Sequence, residues 1–250
     1  MKHRSIGVAL AGGGPLGAIY EIGALMALDE ALRGVSLNAC DVYVGVSSGA
    51  FFAAGLANGV PPRTMFRMFI ESEMADDPFE PSVLMRPAFG EYASRIAALP
   101  RLLAATLRCQ SDAKSFPEAL QKLTAALPTG LFDNTGIANY LTRLFTSLGR
   151  SNDFRKLRAK LFIVATDLDS CEAVPFGAAG YEDVPISRAV QASAALPGLY
   201  PPVEIDGRYY VDGALRKTLH ASVALDAGAR LLLCINPLVP FDADLAGRPG

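Results

Sequence analysis

The 250-residue chain contains no tryptophan and only two histidines, His3 and His220. So little imidazole leaves few ligands for zinc, which is usually held by histidine and cysteine, and neither a metal nor any other cofactor is expected. The four cysteines, Cys40, Cys109, Cys171 and Cys234, lie far apart and form no C-x-x-C. That spacing argues against a redox pair and predicts reduced, mostly buried thiols in a cytoplasmic type of protein. Charged residues make up 19% of the chain, the formal net charge is -2, and Lys and Arg are scattered. A nucleic-acid-binding face, which needs clustered positive charge, is therefore not expected. The longest uncharged stretch, Val42 to Pro62, is broken by Gly45, Ser47, Ser48, Gly49 and Asn58. It reads as strand, turn and buried helix rather than as a membrane span. At the start, Lys2, His3 and Arg4 precede an apolar segment, but Gly12-Gly13-Gly14-Pro15 interrupts it and Glu21 follows. A first β-strand explains this pattern better than a signal peptide.

Apolar residues are plentiful instead, at 51%, and the mean hydropathy is +0.27. A chain of this size and balance can bury a substantial core, which predicts one domain over residues 1–250. Short apolar strands are expected at Ser5 to Leu10, Val42 to Val46, Leu161 to Ala165 and Leu231 to Ile235. Helices are expected from Pro15 to about Leu32, with Gly34 past the end, and over Ser48 to Leu56, Met65 to Glu73, Ile186 to Ala195 and His220 to Asp226. Ala173 to Phe176 is expected to pair with the Leu161 strand. Val203 to Ile205 and Tyr209 to Val211 flank Asp206-Gly207, a hairpin signal. Strands alternating with helices predict an α/β fold in which helices flank a mostly parallel sheet. Tyr92 to Leu107, Phe116 to Leu127 and Thr135 to Leu148 have helical periodicity, so a helical cap or insertion is expected over about 62–150. Residues 237–250 read as loop, consistent with a chain that continues in a longer protein.

Three sequence patterns carry chemistry. Gly45-Val46-Ser47-Ser48-Gly49 is a G-x-S-x-G between a predicted strand and a predicted helix, the setting of a nucleophilic serine on a strained turn. Glycine is needed two residues before and after Ser47 because side chains there would clash. The competing reading is a glycine-rich turn in which Ser47 only caps the helix. Gly12-Gly13-Gly14-Pro15-Leu16-Gly17 follows the first strand and opens a helix. It offers Gly12, Gly13 and Gly14 N–H groups to an anion, with Ser48 N–H as the natural further donor. The same run matches the dinucleotide fingerprint G-x-G-x-x-G. That reading calls for an acidic residue at the end of the second strand, where this chain has Gly45-Val46-Ser47. Asp212-Gly213-Ala214 leaves a predicted strand, and Asp212 can act as the base a serine hydroxyl needs. His220 is the alternative base: the order Ser47, Asp212, His220 matches a serine–aspartate–histidine triad, although only eight residues separate the last two.

Taken in order, these motifs resemble the patatin-like phospholipases, over about residues 6 to 236. The segment Ala192-Ser193-Ala194-Ala195-Leu196-Pro197-Gly198 with Tyr200-Pro201-Pro202 is also similar to that family. The resemblance implies a three-layer α/β/α fold, a Ser47–Asp212 dyad, an oxyanion hole at Gly12, Gly13, Gly14 and Ser48, and no catalytic metal. It further implies a serine hydrolase acting on carboxylic ester bonds of lipids, with transient contact at a membrane surface and no nucleic-acid partner. Gly17, Gly45, Gly49, Gly213 and Ala214 would support the motifs. Phe51, Phe52, Phe66, Phe69 and Leu84 are candidate acyl-chain lining, with core packing as the competing reading for each. The chain departs from many members at Leu16, where they carry Arg or Lys. The alternative function is a lipid-binding or regulatory module of the same fold without turnover.

Overall fold

The structure, a computed structural model, describes residues 5–71, 86–87 and 130–238. Strand β1 (Ile6–Leu10) leads through a glycine loop into helix α1 (Gly14–Ala31), with Pro15 in its first turn. Then come β2 (Val42–Val46), α2 (Ser48–Ala57) and the short α3 (Pro62–Phe66), which continues as a π-helical turn over Arg67–Glu71. A two-residue ribbon pairs β3 (Arg86–Pro87) with β4 (Phe132–Asp133). Helix α4 (Thr135–Thr146), β5 (Lys160–Asp167), β6 (Ala173–Phe176) and α5 (Ile186–Ser193) follow. The hairpin β7 (Val203–Ile205) and β8 (Arg208–Asp212), helix α6 (Ala221–Asp226) and β9 (Leu231–Ile235) are the last of the described elements.

The sheet is mixed. Strands β9, β1, β2 and β5 run parallel, and β6, β8 and β7 join antiparallel. Period-two alternation sorts the strand side chains between two apolar layers. Val8, Leu10, Tyr43, Ile163 and Ala165 pack with α1, α2 and α5. Ala9, Val42, Val44, Val46 and Val164 face the other way, against α6. Helices on both faces explain why the central strands are apolar throughout, and β2 is buried at all five positions. This is the three-layer arrangement expected from the sequence.

Register explains how distant motifs meet. On β5, β6 pairs with Ile163 to Thr166, β2 with Lys160 to Val164, and β8 with Ala165 to Asp167. Because β6 overlaps both of the others, β2 and β8 must share the opposite edge of β5. There they meet head-on: Val46 lies opposite Val164 and Asp212 opposite Ala165. The residue leaving β2 is Ser47, and the last residue of β8 is Asp212. Asp167 latches this corner, its Oδ1 accepting the N–H groups of Asp169 and Ser170 and its Oδ2 pairing with Arg208 of β8 at 2.8 Å.

Several expectations need adjustment. Helix α3 begins at Pro62, three residues before the predicted Met65, because proline suits a first turn. His220 stands just before α6 rather than within it. Cys40 is buried, but Cys171 and Cys234 are exposed. Cys171 sits in the β5–β6 turn with φ 57°, and Cys234 lies on the edge strand β9, so burial of most cysteines does not hold. The Asp206-Gly207 turn has φ of 51° and 76°, as a tight hairpin requires. The predicted helices at Tyr92 to Leu107 and Phe116 to Leu127, together with Leu84 and Cys109, lie outside the described residues. Among the described residues no helix is long and apolar enough to cross a membrane.

Candidate active site

Ser47 links β2 to α2 with φ 51° and ψ -120°, a backbone region that costs a non-glycine residue roughly 1–3 kcal/mol. The geometry is enforced by close packing on both sides. A Cβ at Gly45 would lie 2.6 Å from the Ala50 Cα, and one at Gly49 2.5 Å from the Ala11 carbonyl oxygen. Ser47 occupies the position before the helix, yet its side chain caps no helix N–H. Its Oγ instead donates to Asp212 Oδ2 at 2.7 Å, across 165 residues of sequence. The turn is also tied from below. The Ser47 N–H donates to Ser193 Oγ at 2.9 Å, and that hydroxyl donates to the Val164 carbonyl at 2.6 Å.

Asp212 is held on every side. Its N–H donates to the Ala195 carbonyl and its carbonyl accepts from Thr166 Oγ1. Its Oδ1 accepts the Ala214 N–H at 2.8 Å, which leaves Oδ2 for the serine. Gly213 must be glycine, because a Cβ there would lie 2.3 Å from the Val164 carbonyl oxygen. The aspartate is only 2% exposed and Ser47 only 8%. Burial raises the Asp212 carboxyl above the ordinary carboxylate range, opposed by the hydrogen bonds from Ser47 and Ala214. A carboxylate with raised basicity and a hydroxyl already donating to it is the geometry of a nucleophile with its base.

The glycine loop reaches the same place. A Cβ at Gly12 would lie 3.1 Å from the Ser47 Cβ and 3.0 Å from the Ala214 Cβ, so the three motifs converge on one spot. Gly14 has φ +60°, and a Cβ at Gly13 would lie 2.6 Å from Pro237 Cγ. One expected donor is otherwise engaged. The Gly12 N–H donates to the Thr218 carbonyl at 2.9 Å, so Gly12 shapes the loop rather than offering a donor. The N–H groups of Gly13, Gly14 and Ser48 make no hydrogen bond among the described residues. They lie at the N-termini of α1 and α2, where backbone donors are unused and the helix dipole favours negative charge. Leu16 is 81% exposed, so its side chain does not brace the loop.

His220 is buried beneath the Asp212 turn, with Nε2 3.5 Å from the Gly213 carbonyl oxygen. Burial lowers its pKa from that of a free imidazole. The hydrogen-bond partner of the Ser47 hydroxyl is thus Asp212, while His220 contacts the backbone of the D-G-A turn. Phe52 and Phe69 pack edge to face at 5.4 Å and belong to the core beside α2. A separate depression of about 770 Å³, lined among others by Asn58, Phe145 and Arg150, lies toward the far end of α2 from Ser47.

Two residues of this environment had only faint sequence signals. Ser193 falls within the Ala192 to Gly198 segment, but nothing in the sequence showed that its hydroxyl supports Ser47. Glu21 is fully buried on α1, and its Oε2 accepts the Ser48 hydroxyl at 3.0 Å. The available clue was its place one helical turn after Gly17, on the buried stripe of Gly17, Ile22 and Leu25.

The patatin-like phospholipase family matches residues 8–225, and the chain belongs to that family. Solved structures give more distant likenesses. The chain is 18% identical to VipD from Legionella pneumophila, covering 94% of this chain and 49% of that one, with a TM-score of 0.46. It is 19% identical to ExoU of the Pseudomonas aeruginosa type III secretion system, solved with SpcU, covering 79% of this chain and 38% of that one, with a TM-score of 0.38. The chain spans less than half the length of either protein.

Proposed function

We propose that this chain is a lipid acyl hydrolase that cleaves fatty-acyl esters through a Ser47–Asp212 dyad and an acyl-enzyme intermediate. The observation that carries the reading is the 2.7 Å hydrogen bond from a strained, glycine-flanked serine to a buried aspartate. Asp212 takes the Ser47 proton as Oγ attacks the ester carbonyl. The Gly13, Gly14 and Ser48 N–H groups receive the oxyanion, and donors so placed contribute roughly 3 kcal/mol each to lowering such barriers. The leaving alcohol takes the proton back from Asp212. Water, deprotonated by the same carboxylate, then attacks the acyl-serine and releases the fatty acid, returning a proton to Ser47. Family membership supports a lipid ester as substrate. The exposed side chains of Leu16 and Leu215, next in sequence to the loop and the D-G-A turn, support transient docking on a lipid surface.

A fluorophosphonate probe followed by peptide mass spectrometry tests the assignment. Labelling is expected at Ser47 and is expected to vanish in Ser47→Ala. Hydrolysis of p-nitrophenyl esters and phosphatidylcholine is expected from the wild type and from neither Ser47→Ala nor Asp212→Asn. A folded wild-type protein that takes no label and turns over no ester would identify a lipid-binding module instead.

A further inference from the structure

The proposed oxyanion donors come from two elements. Gly13 and Gly14 open α1, and Ser48 opens α2. Among the described residues, two hydrogen bonds tie the first turn of α2 to the loop and helix that carry Gly13 and Gly14, in addition to general packing. One joins backbone to backbone, Gly49 N–H to the Ala11 carbonyl at 3.2 Å. The other is the side-chain bond from Ser48 Oγ to Glu21 Oε2 at 3.0 Å. Both side chains of that bond are buried, Glu21 completely. Its Oε1 has no hydrogen-bond partner among the described residues.

Stability does not explain this carboxyl. It occupies an apolar stripe where leucine or methionine would pack without desolvating a polar group. Local rules are broken in this way where a site needs a group held in place. We propose that Glu21 is a positioning residue of the active site, which fixes the Ser48 N–H against the Gly13–Gly14 loop by gripping the Ser48 side chain. The inference rests on the hydrolase reading given above.

The neutral carboxyl is the working form. Burial pushes Glu21 up to about 8, opposed only by its bond from Ser48. Among the described residues no charge faces it from the packed elements: β1 and α2 contain none, Arg63 of α3 is exposed, and Arg67 forms an ion pair with Glu71 at 3.7 Å. An ionised Glu21 would set a negative charge behind the donors that receive an oxyanion, so activity falls as pH rises through that value.

The test uses the purified full chain with a soluble p-nitrophenyl butyrate assay. Glu21→Leu and Ser48→Ala are each expected to lower kcat tenfold or more while KM changes less than threefold. Their double variant should be no worse than the poorer single one, because both break the same contact. Glu21→Gln keeps an acceptor for the Ser48 hydroxyl and should stay within threefold of wild type, without the alkaline fall. Wild-type kcat in both Glu21→Leu and Ser48→Ala, losses that multiply in the double variant, or an effect confined to KM would each overturn the proposal. If Glu21→Leu does not fold, Ser48→Ala decides by the same criterion. An inactive wild type would overturn the hydrolase reading and this one with it, whereas an active wild type with indifferent variants overturns only the role of Glu21.

Discussion

Replacing Glu21 with glutamine separates a titration from a packing effect. In the folded chain burial holds the carboxyl proton up to about 8, against 4.5 for an unhindered glutamate. A carboxyl whose pKa is raised on folding stabilises the protein fully below its unfolded value. That contribution is lost as pH climbs toward the folded value. Between pH 5 and pH 8 the linkage amounts to roughly 3–4 kcal/mol, since each unit of separation is worth about 1.4 kcal/mol. For a domain of this size about 1 kcal/mol moves Tm by roughly 2–4 °C. The wild type is therefore expected to lose on the order of 10 °C in Tm between pH 5 and pH 8 relative to Glu21→Gln. The glutamine amide adds a pH-independent offset, so the slopes are compared and not the absolute values. Calorimetric scans in matched buffers, with free thiols kept reduced, give the answer. Parallel Tm–pH curves for the two proteins would show that Glu21 does not hold its proton through this range.

Three further outcomes follow from the site. Asp212→Asn should reduce kcat by a factor on the order of 10³ or more, and His220→Ala by less than about tenfold, since members of a reacting unit cost several decades when removed; steady-state kinetics of both variants checks this. Because burial raises the Asp212 carboxyl and it must be ionised to accept the serine proton, kcat/KM should fall on the acid side at a pH above the ordinary aspartate value, as a pH–rate profile would show. Ser193→Ala leaves the Ser47 N–H and the Val164 carbonyl without their bridge, and should destabilise the fold by about 1–3 kcal/mol in denaturant titration while lowering fluorophosphonate labelling.

The alternation of apolar strands with helices determined the layered fold, because strands covered on both faces must be apolar throughout. The limits of β2, β6 and β9 followed from local composition, as did the Asp206-Gly207 turn. The glycines around Ser47 were also legible, since a serine on so tight a turn tolerates no side chain two residues away. What local sequence could not decide was anything set by neighbours remote in the chain. The Gly12 N–H looked as free as those of Gly13 and Gly14 until Thr218 was placed beside it. The fold puts the His220 ring under Gly213 and the Asp212 carboxylate against the Ser47 hydroxyl, neighbours that local sequence did not reveal. Cys234 looked like core until β9 proved to be the edge of the sheet. The meeting of Ser47 with Asp212 depends on β2 and β8 ending head-on along one edge of β5, a matter of strand register. The burial of Glu21 against Ser48 is likewise tertiary, but it comes from helix packing: it arises only when α1 and α2 lie side by side on the same face of the sheet.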